Sequence, residues 1–549
     1  MTPEKPHGPP KTPAAPSASP EGYGGDKVLL AAGLLFFLFC LFFNFTASLV
    51  EWNHDLNDFH GFRQCQTAIS AYYTVKDGFS IHYETPVLGK PWSIPMEFPL
   101  YQWVVAGLVM AFHTPLDQTG RFVTLLFFYL TLLPVYGLLK LYLRDPGDRL
   151  ILLGFILVNP TYLFWSRSFM IESLALFLCA FFLWATAKGF RERSGKYFAL
   201  AAVAGSLAGL VKVTTLVGFW FPCGLLFLWR YFQENRSWTA FQAAVVRKYA
   251  LYSLAVFAVP FAVSLAWVKT ADAVKRLNPL AADFLTSQAE NKWNFGTLDQ
   301  KLSPMAWRQI FSMDHILNIF GQLKLGQGSV PVFLIVSLAL VAILRRRRKE
   351  RILAFAFFLF PMAVFTNLYF IHDYYHYANG VFLSLFLGFT VVSMLDSVPG
   401  RLKLFPLAVL AFFFLALLRS EYKASYDFWT HRVTPTAQIS QLIRDTTKEN
   451  DVLLIYGYDW DSTIPYYSQR RSLMDKWDMS LKDPKMVRAL EVLGGDKIKA
   501  MLILGDRPAD FIKEKVDYFR LDPKPLDLSG FHLYLSEEAS KELRGLPAT

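Results

Sequence analysis

Residues 51–103 set Asp55, Asp58, His60, Arg63, Gln66, His82, Glu84 and Glu97 into one loop that follows the first strongly apolar segment. Ionisable side chains held at a membrane face are costly, so their concentration here points to chemistry. A solvated loop, polar by default, is the plainer alternative. Three other stretches carry similar residues in apolar surroundings: Arg167 and Glu172 in FWSRSFMIESLAL, Lys212 in AGLVKVTT, and His372, Asp373, Tyr375 and His376 in IHDYYHY. A carboxylate or imidazole can take a proton from an attacking hydroxyl or amine. Arginine and lysine pair with phosphate. Gathered under one leaflet, such groups suit a phosphate-bearing lipid with a polar head.

Each group also has a structural reading. Arg167 and Glu172 could form an ion pair at a helix start, where the helix dipole favours the glutamate. Lys212 could snorkel to lipid headgroups. IHDYYHY could be an interfacial aromatic belt with a pH-sensitive pair. Its two histidines and aspartate are also part of a ligand set for a divalent metal, although no third ligand is fixed by spacing. His82 and Glu84 fit ordinary loop positions, and His54 and Asp55 fit polar caps beside a helix.

The elements that must position these residues are greasy. The 549 residues are 53% hydrophobic, 16% aromatic and 18% charged, where a soluble protein carries about a quarter charged. Runs such as VLLAAGLLFFLFCLFFNFTASLV (28–50) are long enough to cross a hydrocarbon core. The chain therefore reads as a multi-pass membrane protein. Its net charge of +11 does not imply nucleic acid, because the densest cluster, RRRRKER (345–351), lies between two apolar runs, where it reads as a cytoplasmic stop. Cys40, Cys179 and Cys223 sit in apolar segments and Cys65 stands alone in the first loop, with no metal-type or disulfide-type spacing. Residues 1–27 are rich in Pro, Ala, Ser and Gly. They are expected to form a disordered cytoplasmic tail, with the segment after them kept as a signal anchor.

Spanning helices are expected at 28–50, 122–142, 150–164, 169–188, 197–211, 215–231, 249–268, 325–344, 352–370, 377–395 and 404–418. The basic clusters at 140–149, 188–196, 230–248, 345–351 and 401–403 share one side if FPLYQWVVAGLVMAFH (98–113) lies at the outer interface and does not cross. That gives about eleven crossings in a domain over 28–419, with a first extracytoplasmic loop at 51–120. Residues 420–549 differ in composition. DVLLIYG, IKAMLILGD and FHLYLSEE read as strands, TPTAQISQLIRDTTKEN and PADFIKEKV as helices. They predict a small extracytoplasmic α/β domain. No internal repeat is evident, which weighs against a secondary transporter.

In NDFHGFRQCQTAISAYY (57–73), PMEFPLYQW (95–103), SRSFMIESLAL (166–176), AGLVKVTTL (208–216) and HDYYHY (372–377) the chain resembles the GT-C superfamily of membrane glycosyltransferases. It is most similar to the bacterial aminoarabinose transferases and the protein mannosyltransferases. The resemblance covers the transmembrane part in family order. It implies transfer of a sugar from a polyprenyl-phosphate donor to a lipid, protein or polysaccharide acceptor, with inversion. It places the reaction at the extracytoplasmic face of a bacterial inner membrane. A first-loop carboxylate would activate the acceptor. Relatives carry an acidic residue, often a pair, shortly before the arginine that matches Arg63. This chain has His60-Gly61 there and Asp58 just upstream, so the resemblance leaves Asp58 or His60 as the base and Glu97 as the second carboxylate. Arg63, Gln66, Arg167, Glu172, Lys212, His372, Asp373, Tyr375 and His376 would hold donor phosphate or sugar. A histidine base would lose activity as the pH falls through about 6.5, the ordinary imidazole value. Two rival functions share these features. One is a lipid-linked-sugar flippase or transporter; the other is a binding member of the fold whose chemistry is altered.

Overall fold

The computed structural model describes residues 27–58, 60–234, 250–314, 343–396 and 435–545, with a few single positions between 408 and 430. The proline-rich tail and the expected spans 325–344 and 404–418 lie almost wholly outside the described residues. Six helices among the described residues are long and apolar enough to cross a membrane. The chain is a multi-pass integral membrane protein.

Helix α1 (Lys27–Ser48) leads into two loop helices, α2 (Gly61–Asp77) and α3 (Leu100–Phe112), and then α4 (Leu116–Tyr142). At 13 residues, α3 reaches about 20 Å, short of a bilayer core. Its length agrees with the expectation that 98–113 does not cross. The expected single span 150–164 is instead two helices, α5 (Pro146–Leu157) and α6 (Pro160–Trp165). Pro160 has no N–H to continue the helix, and the Asn159 side chain accepts from Thr161 N at 3.0 Å to start a new one. Helix α7 (Glu172–Glu192) follows, then α8 (Gly195–Glu234).

As a straight rod, the 40 residues of α8 would run about 60 Å, twice a bilayer core. The helix instead folds back at Lys212, whose backbone is extended (φ −160°, ψ 92°). Phe198 and Phe227, one on each arm, both pack against Phe190 of α7, with ring centroids 5.0 and 6.0 Å away. The arms 195–211 and 213–234 are thus antiparallel, as expected for two spans joined by a tight turn.

The next long helix runs Ala250–Lys275, beyond the expected end at 268. The expected span 352–370 is also interrupted, into Arg348–Val364 and Thr366–Ile371. Lys301 Nζ fills the gap, donating to the carbonyls of Ala363 and Val364 at 2.8 Å each and to Thr366 Oγ1 at 3.0 Å. These are the acceptors that a helix end leaves open. The last long helix described is His376–Leu395.

The basic connections gather at one end of this bundle. Arg191 donates to the Leu141 carbonyl, Arg347 meets Asp148 at 2.8 Å, and Arg346 donates to the Asp396 carbonyl at 3.0 Å. The chemistry-bearing residues gather at the opposite end.

The C-terminal part forms a five-stranded sheet in the order β2-β1-β3-β5-β4. The strands are β1 (Val452–Tyr456), β2 (Arg471–Asp475), β3 (Ile498–Leu504), β4 (Leu526–Leu528) and β5 (Phe531–Leu535). The first three are parallel and β5 is antiparallel to both its neighbours. β1, β3 and β5 fall on the three expected runs; β2 and β4 were not anticipated. Residues 86–89 of the first loop extend the β2 edge. Ser472 N donates to the Pro86 carbonyl, Gly89 N to the Ser472 carbonyl and Met474 N to the Val87 carbonyl, each at 2.9 Å. Arg471 fastens the same junction, donating to Glu84 at 2.7 and 3.0 Å and to Asp77 at 2.9 Å. The hydroxyls of Tyr466 and Tyr467 both donate to the Asp117 carboxylate at the start of α4.

Candidate active site

Two largely buried ion pairs define the site. Arg63, in the first turn of α2, meets Glu97 at 3.1 Å and donates to Gln66 at 2.6 Å. Lys212, at the fold of α8, meets Glu172 in the first turn of α7 at 2.6 Å. The side chains of Arg63 and Glu97 are 18% and 10% exposed, those of Lys212 and Glu172 10% and 2%. The pairs adjoin, since Lys212 lies within electrostatic reach of Arg63 and Glu97. Desolvating such charges costs several kcal/mol per ion, and apolar residues of the same size would serve the fold as well or better. Charged pairs placed under an apolar bundle are thus more than the fold alone requires.

The segment bearing Glu97 is pinned from several sides. Tyr83 donates its hydroxyl to the Glu97 carbonyl at 3.0 Å and accepts from Met96 N at 2.9 Å. Trp267 donates to the Met96 carbonyl at 3.1 Å, and Phe98 N to the Leu210 carbonyl at 2.9 Å. Gln102, on the first turn of α3, donates to the second Glu97 oxygen at 3.1 Å. The carboxylate thus sits where α2, α3, α8 and the Ala250–Lys275 helix converge.

His60 flanks the cations. It precedes α2 in the left-handed conformation (φ 51°, ψ 47°). A non-glycine residue pays for that conformation, and such strain clusters at functional sites. Its Nε2 lies 2.9 Å from Asp373 Oδ1. Its ring packs against Trp165, His372 and Tyr374 at 5.5, 5.4 and 5.1 Å. Tyr374 and Tyr375 in turn lie 5.3 and 4.4 Å from the Lys212 ammonium. The interruption after Val364 sets up this arrangement. It ends the bundle helix early, so His372 is extended and residues 373–375 form a single 3₁₀ turn. Burial, and then the neighbouring His60 charge, push the His372 imidazole down to about 4, so it is neutral at pH 7.

The structure therefore brings Arg63, Gln66, Glu97, Glu172, Lys212, His60, His372, Asp373 and Tyr375 together. It places three other candidates elsewhere. Asp58 is 10% exposed, faces Arg121 at 3.6 Å and accepts from the Gln64 amide. Arg121 in turn holds the carbonyls of Trp52, His54 and Asp55. Arg167 is buried and donates to the Glu51 carbonyl at 3.2 Å. Burial, and then the Arg121 charge, hold its guanidinium down to about 10. Asp58, Arg121 and Arg167 thus form a core that shapes the loop from behind. His376 is fully buried, 3.3 Å from Asp314 and edge-on to Tyr369. It lies one helical turn beyond His372 and faces into the bundle.

Gln102, Tyr83 and Glu290 were not singled out from sequence. Glu290 lies within electrostatic reach of Arg63 and Lys275, and burial raises its carboxyl to about 6. It lies in a loop without motif or periodicity, and only folding brings it here. Among the described residues, no three His, Cys, Asp or Glu side chains are grouped as a metal site requires.

No protein-family model matches the sequence, and no curated protein matches it. Solved structures do. ArnT from Cupriavidus metallidurans, in the crystal structure bound to undecaprenyl phosphate, aligns with a TM-score of 0.52 at 11% identity, over 93% of this chain and 98% of that one. The fold is that of the GT-C membrane glycosyltransferases. The oligosaccharyltransferase of Archaeoglobus fulgidus overlaps less, with a TM-score of 0.49 at 12% identity over 88% of this chain and 70% of that one. The mycobacterial arabinofuranosyltransferase AftD gives 0.42 at 12%, over 93% and 40%. The likeness of fold rests on the first. With it, the resemblance carried by the loop motifs and the architecture of the bundle agree.

Proposed function

We propose that this GT-C protein is an inverting glycosyltransferase that takes its sugar from a polyprenyl-phosphate carrier, at the extracytoplasmic face of a bacterial inner membrane. The observation that carries this reading is the convergence of Arg63 and Lys212, each held ready on its own carboxylate, at one end of an apolar bundle. ArnT, of the same fold, is known bound to undecaprenyl phosphate. A phosphodiester headgroup would compete with Glu97 for Arg63 and with Glu172 for Lys212, because both cations use the same donors for carboxylate and phosphate.

His60 is the base in this mechanism. Its side chain is 31% exposed, against 10% for Asp58 and 10% for Glu97. Asp373 at 2.9 Å orients it and stabilises the imidazolium. His60 takes the proton of the acceptor hydroxyl or amine. The freed electron pair forms a bond to the anomeric carbon, on the face opposite the phosphate. The bond between that carbon and the phosphate oxygen breaks, and the polyprenyl phosphate leaves carrying its extra negative charge. Arg63 and Lys212 stabilise that charge where it develops. Glu97, released from Arg63, is placed to hold the acceptor. A flippase would need its charges near the bilayer midplane, and here they sit at one end.

The test is mass spectrometry of lipid extracts after incubating purified protein with candidate polyprenyl-phosphate sugars and crude membrane acceptor. Wild type should release sugar-free polyprenyl phosphate and form a glycosylated product, while His60→Gln and Arg63→Gln form neither. Full turnover by His60→Gln would refute its role and return the base to Glu97 or Asp58. Movement of intact donor across proteoliposomes, without cleavage, would establish the flippase reading instead.

A further inference from the structure

An aromatic row leaves the site toward the C-terminal sheet. Phe62, the residue before Arg63, packs edge-on to Trp460 at 4.9 Å. Phe284 continues the row, 6.2 Å from Trp460 and 5.2 Å from Trp477, at 74° and 86°. Trp477 ends it, 43% exposed. Trp460 and Trp477 follow the carboxyl ends of the neighbouring parallel strands β1 and β2, the edge where open α/β sheets hold ligands. The row thus joins three separate parts of the chain: the first loop, the loop after the Ala250–Lys275 helix, and the C-terminal sheet.

The polar groups along the row are paired. Lys476 lies 4.2 Å from the Phe284 ring centroid and 3.7 Å from Asp459. Arg507 lies 3.0 Å from Asp478. Asp459 and Asp478 both adopt positive φ, 48° and 53°, so the two turns that follow β1 and β2 have the same unusual backbone at the edge of the row. The edge therefore combines indole faces with charged hydrogen-bonding groups, and its cations do not outnumber its carboxylates, since Asp461, beside Trp460, adds an acid held by Thr463. An anionic acceptor would meet no surplus cation here, and an acyl chain would meet two ion pairs. A sugar has the matching chemistry. Its C–H faces stack on aromatic rings, and its hydroxyls exchange hydrogen bonds with carboxylates and amines.

We propose that the row from Phe62 to Trp477 is the acceptor subsite, and that the acceptor it holds is a neutral saccharide. The assignment rests on the glycosyl-transfer reading for the word acceptor, while saccharide binding at the row stands on its own chemistry. The experiment has two arms, both on the full-length protein in nanodiscs. In the first, an array of neutral and acidic bacterial oligosaccharides is probed with wild type, Trp477→Ala and Trp477→Phe. Wild type should bind neutral glycans, Trp477→Ala at least tenfold more weakly, and Trp477→Phe close to wild type. In the second, donor cleavage is followed by lipid mass spectrometry, and Trp477→Ala should raise the acceptor KM about tenfold with the donor KM and kcat unchanged. No binding above empty nanodiscs, preference for acidic glycans, or unchanged binding by Trp477→Ala would each overturn the proposal. Neutral-glycan binding through Trp477 without donor cleavage by wild type would retain the saccharide site and overturn the catalytic reading.

Discussion

The Lys212–Glu172 pair makes a quantitative demand. Its charged atoms are 2.6 Å apart and its side chains 10% and 2% exposed, so removing either partner strands the other in a dry site, at a typical cost of about 3–5 kcal/mol. Neighbours reduce each penalty differently. In Lys212→Met the remaining Glu172 lies in the first turn of α7, where the helix dipole returns roughly 0.3–1 kcal/mol. In Glu172→Gln the remaining ammonium keeps the Tyr375 and Tyr374 rings at 4.4 and 5.3 Å, worth up to about 2 kcal/mol when desolvated. The expected costs are therefore about 3–4 kcal/mol for Lys212→Met and about 2–3 kcal/mol for Glu172→Gln. The double variant buries no charge, so it should be more stable than the sum of the singles predicts by about 3 kcal/mol. Reversible SDS unfolding of the detergent-solubilised protein would measure the cycle. A coupling within about 0.5 kcal/mol of zero would show that the two residues do not form the ion pair described here. Donor turnover should not return in the double variant, because the phosphate has lost a cation.

Two further outcomes are expected. His372 is held down to about 4 by burial first and by the His60 charge second, so the folded state resists a proton that the unfolded chain accepts near 6.5. The stabilisation is present above about pH 6.5 and lost as the pH falls toward 4, by at most about 3 kcal/mol; His372→Asn should flatten that part of the stability–pH curve, and identical curves would refute the burial argument. Tyr466 and Tyr467 hold the sheet to Asp117, so Tyr466→Phe/Tyr467→Phe should speed proteolytic separation of the C-terminal part several-fold without changing donor binding, as read from fragment rates on gels.

Much of the scaffold was legible because it obeys one-dimensional rules. An apolar run such as 28–50 needs only length to be read as a span, and α1 occupies it. The runs DVLLIYG and IKAMLILGD are continuous enough to announce buried parallel strands, and β1 and β3 lie within them. β2 hid because RSLMD has two large apolar residues between polar ends, and its edge is completed by a segment far away. The interruption at Asn159-Pro160 did have a local signal, since a proline cannot continue the preceding turn. The site was legible in composition and not in pairing. Asp58 and His60 are two residues apart, yet the unusual backbone of His60 sends them to different surroundings, and no spacing rule foretells a left-handed histidine. Glu290 and Phe284 owe their places to tertiary packing alone.

The edge contact that residues 86–89 make with β2 also bears on how the protein is made. Glu84 and its partner Arg471 are 387 positions apart. At ordinary elongation rates of about 5–20 residues per second, the first loop waits roughly 20–80 s for the edge it completes. Until then its backbone groups lack these partners and Glu84 lacks its arginine. The bundle can insert helix by helix, while this loop, which carries His60, Arg63 and Glu97, docks only after the C-terminal sheet has emerged. Assembly of the site is thereby coupled to completion of the chain, and a product truncated before β2 would lack this support for its reactive loop.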